Sequence, residues 1–222
     1  MSVEIWLADG GRPGQPTSEA ARRHEDEGWD GYALGDSHNF APDPYVCLGS
    51  AASATSTAKL GTWVTNPVTR HVAVTAASIG AVQSESGGRA FLSIAREDSP
   101  LAHVELSPTP VRAFEAYLKQ LQSYLRGESV DHASAPSGSG AQTRSLDDSN
   151  VLSDAGRPTE NRLQWIEAAG RKVPVDVAAS GPKVIQLAAL VVDRITFAVG
   201  SAQPNAPIIP FLCTWWAFAT WD

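Results

Sequence analysis

Arg89-Ala90-Phe91-Leu92-Ser93-Ile94-Ala95 is a short run with one charge, at its start, and a single hydroxyl. A strand with one wet face alternates polar and apolar residues, so so uniform a run predicts a strand buried on both faces, as in a parallel sheet. Its flanks agree. Upstream, a helix is expected from about Thr69 to Gln83, closed by the turn Ser86-Gly87-Gly88. Downstream, Val111, Phe114, Leu118, Leu121 and Leu125 recur at helical spacing and form one apolar stripe. Thr109 suits a cap there, Pro110 the first helical position, and Gly127 the stop.

The same unit extends in both directions. Val3–Ala8 reads as a strand ending in the loop Asp9–Gly14, and Thr17 or Ser18 is expected to cap a helix that Gly28 stops. Gly31–Gly35 is a second strand, Pro44–Ala54 a small-residue helix, and Lys59–Thr65 a third strand closed by Asn66-Pro67. Ser129 to Gly156, rich in Ser, Gly, Asp and Asn, reads as a loop insertion. A short helix at Asn161–Ala169, a strand at Val173–Ala178, a helix at Pro182–Leu190 and a strand at Arg194–Val199 complete the series. Strands alternate with helices throughout, which means α/β. A doubly wound sheet and a barrel both fit; the lack of GxGxxG after the first strand counts against a dinucleotide-binding domain.

Composition narrows the function classes. The 222 residues carry a formal charge of −7 with 43% hydrophobic and 18% charged residues, an ordinary globular balance that argues against a nucleic-acid partner. Cys47 and Cys213 stand alone, and His24, His38, His71, His103 and His132 show no ligand spacing, so neither a disulfide scaffold nor a metal site is expected. The first residues show no signal peptide, and cytoplasmic location is the expectation. Pro207 to Trp221 is apolar but shorter than the roughly 20 residues of a spanning helix.

In α/β proteins the site lies at the carboxyl ends of the strands. The polar groups there are Asp36-Ser37-His38-Asn39, Thr65-Asn66, Arg96-Glu97-Asp98-Ser99, Ser180-Gly181-Pro182-Lys183 and Gly200-Ser201. Ser180 to Lys183 has the strongest physical warrant, because free amides, a helix dipole and an ammonium together hold a phosphate; a plain capped turn is the bland alternative. His38 is either a proton donor or a loop histidine, and Asp36 either orients it or caps the loop. Arg70 reads as an ion-pairing residue rather than a catalytic one.

Four segments in register carry a resemblance: Gly35–Tyr45, Leu60–His71, Glu85–Ala90 and Val175–Ile185. In order, spacing and wording they resemble the luciferase-like monooxygenase superfamily, nearest to the deazaflavin-dependent methylenetetrahydromethanopterin reductases. The resemblance runs from about residue 3 to 200. It implies a (β/α)8 TIM barrel of which this chain supplies about six βα units. A domain over residues 1–200 with a 129–160 insertion, an atypical apolar tail at 201–222 and a C-terminally truncated, incomplete barrel are therefore expected. It further implies an oxidoreductase that moves hydride between reduced coenzyme F-420 or FMN and a small organic substrate. Ser180, Gly181 and Lys183 would take the cofactor phosphate, Thr62, Val64 and Thr65 would lie against the ring, and His38 with Asp36 would be the catalytic pair. Self-association through open barrel edges is the expected partner chemistry. Three departures oppose activity, the most serious being that likeness stops near Gly200, with two strand–helix units missing. Relatives read Gly-Thr-Gly-Val where this chain has Gly61-Thr62-Trp63-Val64, and carry glycine where it has Glu97. The alternative is a non-catalytic barrel remnant that binds a partner.

Overall fold

The computed structural model describes residues 4–9, 14–96, 99–131 and 160–197. Six parallel strands form one sheet: β1 (Trp6–Asp9), β2 (Gly31–Leu34), β3 (Lys59–Thr62), β4 (Ala90–Ile94), β7 (Val175–Ala179) and β8 (Arg194–Phe197). Their spatial order is their chain order, β1-β2-β3-β4-β7-β8. A doubly wound sheet reverses direction at a switch point; an unreversed order is single winding, the rule of a barrel. The sheet is part of a (β/α)8 barrel.

The helices obey the same rule. They are α1 (Thr17–Asp26), α2 (Pro44–Ala54), α3 (Val72–Glu85), the short α4 (Ser99–Ala102), α5 (Val111–Leu125) and α6 (Pro182–Val191). α1 packs on α2, α2 on α3, α3 on α5 and α5 on α6, so they line one face of the sheet in sequence. Between that face and the helices lies the main core, where Leu7, Tyr32, Leu48, Leu60, Ile79, Leu92, Phe114, Leu118 and Leu121 are all but sealed from solvent. Each such side chain contributes roughly 1.5–3 kcal/mol by burial. The α5 stripe is buried at Phe114, Leu118, Leu121 and Leu125, while Val111 stays half-exposed at its start.

Boundaries differ where side-chain chemistry was weak. α1 starts after Pro16 without a side-chain cap, so neither Thr17 nor Ser18 caps it. Pro110 is the cap of α5 and not its first residue. α2 has a true cap in Asp43, whose Oδ1 accepts from Tyr45 N at 2.9 Å and Val46 N at 3.2 Å. The expected helix at Asn161–Ala169 shrinks to a 3-10 turn at Ile166–Ala169, preceded by β6 (Glu160–Asn161). β6 pairs antiparallel with β5 (Val130–Asp131) and so ties together the two ends of the expected insertion. The insertion beyond those ends and the 201–222 tail lie outside the described residues.

Candidate functional site

The carboxyl ends of β2, β3, β4 and β7 share one rim of the sheet, and β3 is irregular there. Leu60 and Gly61 pair with Ala90 and Phe91, and then the ladder toward β4 breaks. Thr62 fills the gap with its side chain: Oγ1 donates to Ser93 O at 2.7 Å and accepts from Ser93 N at 3.1 Å. The backbone rejoins β4 at Thr65, whose N–H donates to Ser93 O and whose carbonyl accepts from Ala95 N, both at 3.0 Å. On the β2 side pairing continues, with Trp63 N donating to Leu34 O at 2.7 Å and Asp36 N to Val64 O at 3.3 Å. The Trp63–Val64 peptide is cis. Residues 63 and 64 thus bulge away from β4, which is how such insertions re-aim side chains at a barrel rim.

That bulge brings Thr65 onto Asp36. The Thr65 hydroxyl donates to Asp36 Oδ2 at 2.7 Å, and both residues are buried. Burial pushes the Asp36 carboxyl above its ordinary range, against the pull of the Thr65 hydroxyl and the Arg70 guanidinium. Arg70 Nε lies 3.9 Å from Asp36 Oδ2, and its Nη2 donates to Asp43 Oδ2. His38 sits in an exposed turn and acts on the Asp36 carboxyl through its charge, while the hydrogen bond that this carboxyl accepts comes from Thr65. Thr62 is fully buried with its hydroxyl committed to Ser93, and Val64 is half-buried.

The β7–α6 junction gathers Ser180, Gly181 and Lys183. Gly181 caps α6 and Pro182 opens it, with Ser180 and Lys183 exposed beside them. The cap's extended backbone suits any residue, yet a Cβ at Gly181 would meet nothing within 4 Å. The backbone at Gly181 is therefore uncovered on its Cβ side; an anion binding at a helix N-terminus needs access to the amides there.

The inner face of the sheet holds a second, smaller cluster. Trp6 and Phe91 meet with tilted rings, 4.2 Å between centroids, Ala33 is buried with them, and Trp63 packs alongside. They line a small, mainly apolar concavity of about 20 Å³ together with Ala8, Pro174, Asp176, Arg194 and Thr196. Asp176 Oδ2 accepts from Ser93 Oγ and Thr196 Oγ1, both at 2.7 Å. Burial again pushes this carboxyl upward, opposed by those hydroxyls and by Arg194. Among the described residues no group of three or more His, Cys, Asp or Glu is arranged to hold a metal ion.

Residues 4–206 match the family model described as luciferase-like monooxygenase. The chain belongs to that family. A 5,10-methylenetetrahydromethanopterin reductase from Methanolobus tindarius is 30% identical over 177 residues, covering 79% of this chain and 47% of the relative. The coenzyme F-420-dependent tetrahydromethanopterin reductase of Methanopyrus kandleri superposes with a TM-score of 0.62 at 21% identity, covering 88% of this chain and 55% of that one. The oxygenating constituent of 3,6-diketocamphane monooxygenase from Pseudomonas putida, in complex with FMN, gives 0.59 at 19% identity, with 84% and 55% covered. These likenesses bear out the fold. The chain spans about half the length of the curated relatives it matches.

As a luciferase-like chain, the protein carries its polar groups on the expected rim, and Glu97 and Asp98 lie outside the described residues. Sequence reasoning passed over Asp43 and Asp176. The first had a signal in Asp43-Pro44, an N-cap residue before an N1 proline. Asp176 had none, since one carboxylate in an apolar strand reveals neither its face nor its partners.

Proposed function

We propose that this chain forms the cofactor-holding part of a flavin- or deazaflavin-dependent oxidoreductase, moving hydride between reduced coenzyme F-420 or FMN and a small organic substrate. The observation that carries the reading is the shared rim: parallel pairing puts Asp36, Thr65 and the Ser180–Lys183 turn on one edge of the sheet. The uncovered backbone at Gly181, at the start of a helix, supports an anion there. Membership of a family whose relatives include an F-420-dependent reductase and an FMN-bound monooxygenase supports the cofactor class.

In this reading Ser180, the Gly181 turn and Lys183 bind the cofactor phosphate through hydroxyl, amide and ammonium donors. The bulge at Val64 and Thr65 supports the ring, with Thr62 holding that bulge to β4. When bound, the cofactor supplies the hydride chemistry. Asp36 holds Thr65 in place, and exposed His38 offers or accepts a proton at an imidazole nitrogen beside the rim. Positioning and water exclusion are the protein's share.

The competing reading, a non-catalytic remnant that binds a partner, draws on one observation: Trp63 stands on the inner wall, at a position where the resemblance implies glycine. Cytoplasmic residence belongs to the first reading; among the described residues no helix is long and apolar enough to cross a membrane. Titration of purified protein with F-420 and with FMN, followed by visible absorbance and calorimetry, separates the two. Saturable uptake of either cofactor supports the oxidoreductase, and absence of uptake of both removes it.

A further inference from the structure

Arg70 stands on the loop between β3 and α3, yet its contacts are on the neighbouring loop between β2 and α2 and on the first turn of α2. Nε approaches Asp36 Oδ2 at 3.9 Å, Nη2 donates to Asp43 Oδ2, and the guanidinium lies 4.8 Å from the Tyr45 ring centroid. Asp36 follows the end of β2 and Asp43 caps α2, so the two carboxylates bracket residues 37–42, the turn that bears His38. Within that turn the backbone bonds close on themselves, Phe40 N and Ala41 N both donating to Ser37 O at 2.8 and 2.9 Å. Phe40 is 60% exposed, and its ring meets that of His103 in a T-shaped arrangement at 5.4 Å between centroids. The turn is therefore held mainly at its two ends, and one guanidinium reaches both.

We propose that Arg70 is a positioning residue that, by spanning Asp36 and Asp43, fixes the 37–42 turn and His38 over the carboxyl ends of β2 and β3. The inference rests on the cofactor reading above. A planar fork stacked on a ring serves two carboxylates at once; an ammonium, a point charge on a flexible stem, does not. The other ionisable groups that act on Asp36 are Asp43, His38, Tyr45 and Tyr117. Burial holds both phenols protonated above their ordinary range, so near neutral pH Arg70 is the lasting positive charge opposite Asp36 and Asp43 a like charge. Loss of Arg70 raises the Asp36 carboxyl further.

The test compares Arg70→Gln and Arg70→Lys with the parent chain by amide hydrogen exchange, F-420 calorimetry and the pH profile of binding. In Arg70→Gln the amides of residues 37–41 exchange about tenfold faster while those of β3 and α3 are unchanged, affinity falls about tenfold, and the pH midpoint of binding moves upward. Arg70→Lys returns the midpoint but not the protection, which a bulk structural role does not produce. Unchanged exchange at 37–41, or exchange that quickens equally through β3 and α3, overturns the proposal. If the parent chain takes up no cofactor, the cofactor reading falls, while exchange at 37–41 still decides whether Arg70 holds the turn.

Discussion

Gly61 lies so close to Phe91 that a Cβ on it would stand 2.3 Å from the Phe91 carbonyl oxygen and 2.6 Å from two carbons of the ring. The two are register partners on β3 and β4, one residue before the ladder breaks. Because backbone cannot yield as a side-chain tip does, Gly61→Ala is expected to destabilise the chain by about 1–3 kcal/mol. Urea unfolding checks it; a midpoint equal to the parent's contradicts the close approach.

Lys183→Ala is expected to weaken a phosphorylated cofactor by about 1–3 kcal/mol, the scale of a hydrogen bond to a charged group. The side chain is exposed, so stability should hold while affinity falls. Unchanged affinity by calorimetry removes the phosphate assignment.

Trp63 shares the inner wall with Trp6 and Phe91. Trp63→Gly, alone and with Glu97→Gly, is expected to raise cofactor uptake while lowering stability through lost packing. Equal occupancy in parent and variants shows that Trp63 does not obstruct the ring.

Glu25 reports on acid stability. Its carboxylate accepts from Ser56 N, Thr57 N and Ala58 N at 2.6–3.0 Å, fastening α1 to the turn before β3. Burial raises its pKa, but these amides outweigh burial and bring it from 4.5 to about 2. A lowered pKa means the folded state binds the proton less readily than the unfolded one. The contribution is therefore full above pH 4.5 and is lost as pH falls toward 2. Glu25→Gln is expected to lower the unfolding midpoint at neutral pH and to flatten its fall through this window. An unaltered acid profile counts against this fastening by Glu25.

β1 and β8 each have one unpaired edge among the described residues. Unpaired parallel edges template further pairing, so concentration-dependent association is expected. Light scattering with hydrogen exchange reads both. A compact monomer whose β1 and β8 amides are as protected as those of β3 contradicts open edges.

The sequence by itself determined the α/β alternation, because uniform apolar runs such as Arg89–Ala95 and the Val111–Leu125 stripe reflect periods intrinsic to strand and helix. It also marked the rim residues, since strand ends are where polar groups interrupt those runs. Helix starts at Pro16 and Pro110 were less legible, because no side chain there makes the capping bond that a local pattern encodes. Periodicity left the winding mode open; the resemblance implied the barrel, and the strand order bore it out, since strand order depends on which edges meet across tens of residues. Tertiary structure alone gave Asp36 to Thr65 and Arg70, and Asp176 to Ser93 and Thr196. Those partners lie 20 to 83 residues apart in the chain. A hydrogen bond depends on distance and direction in space, and both are set only when the sheet curls.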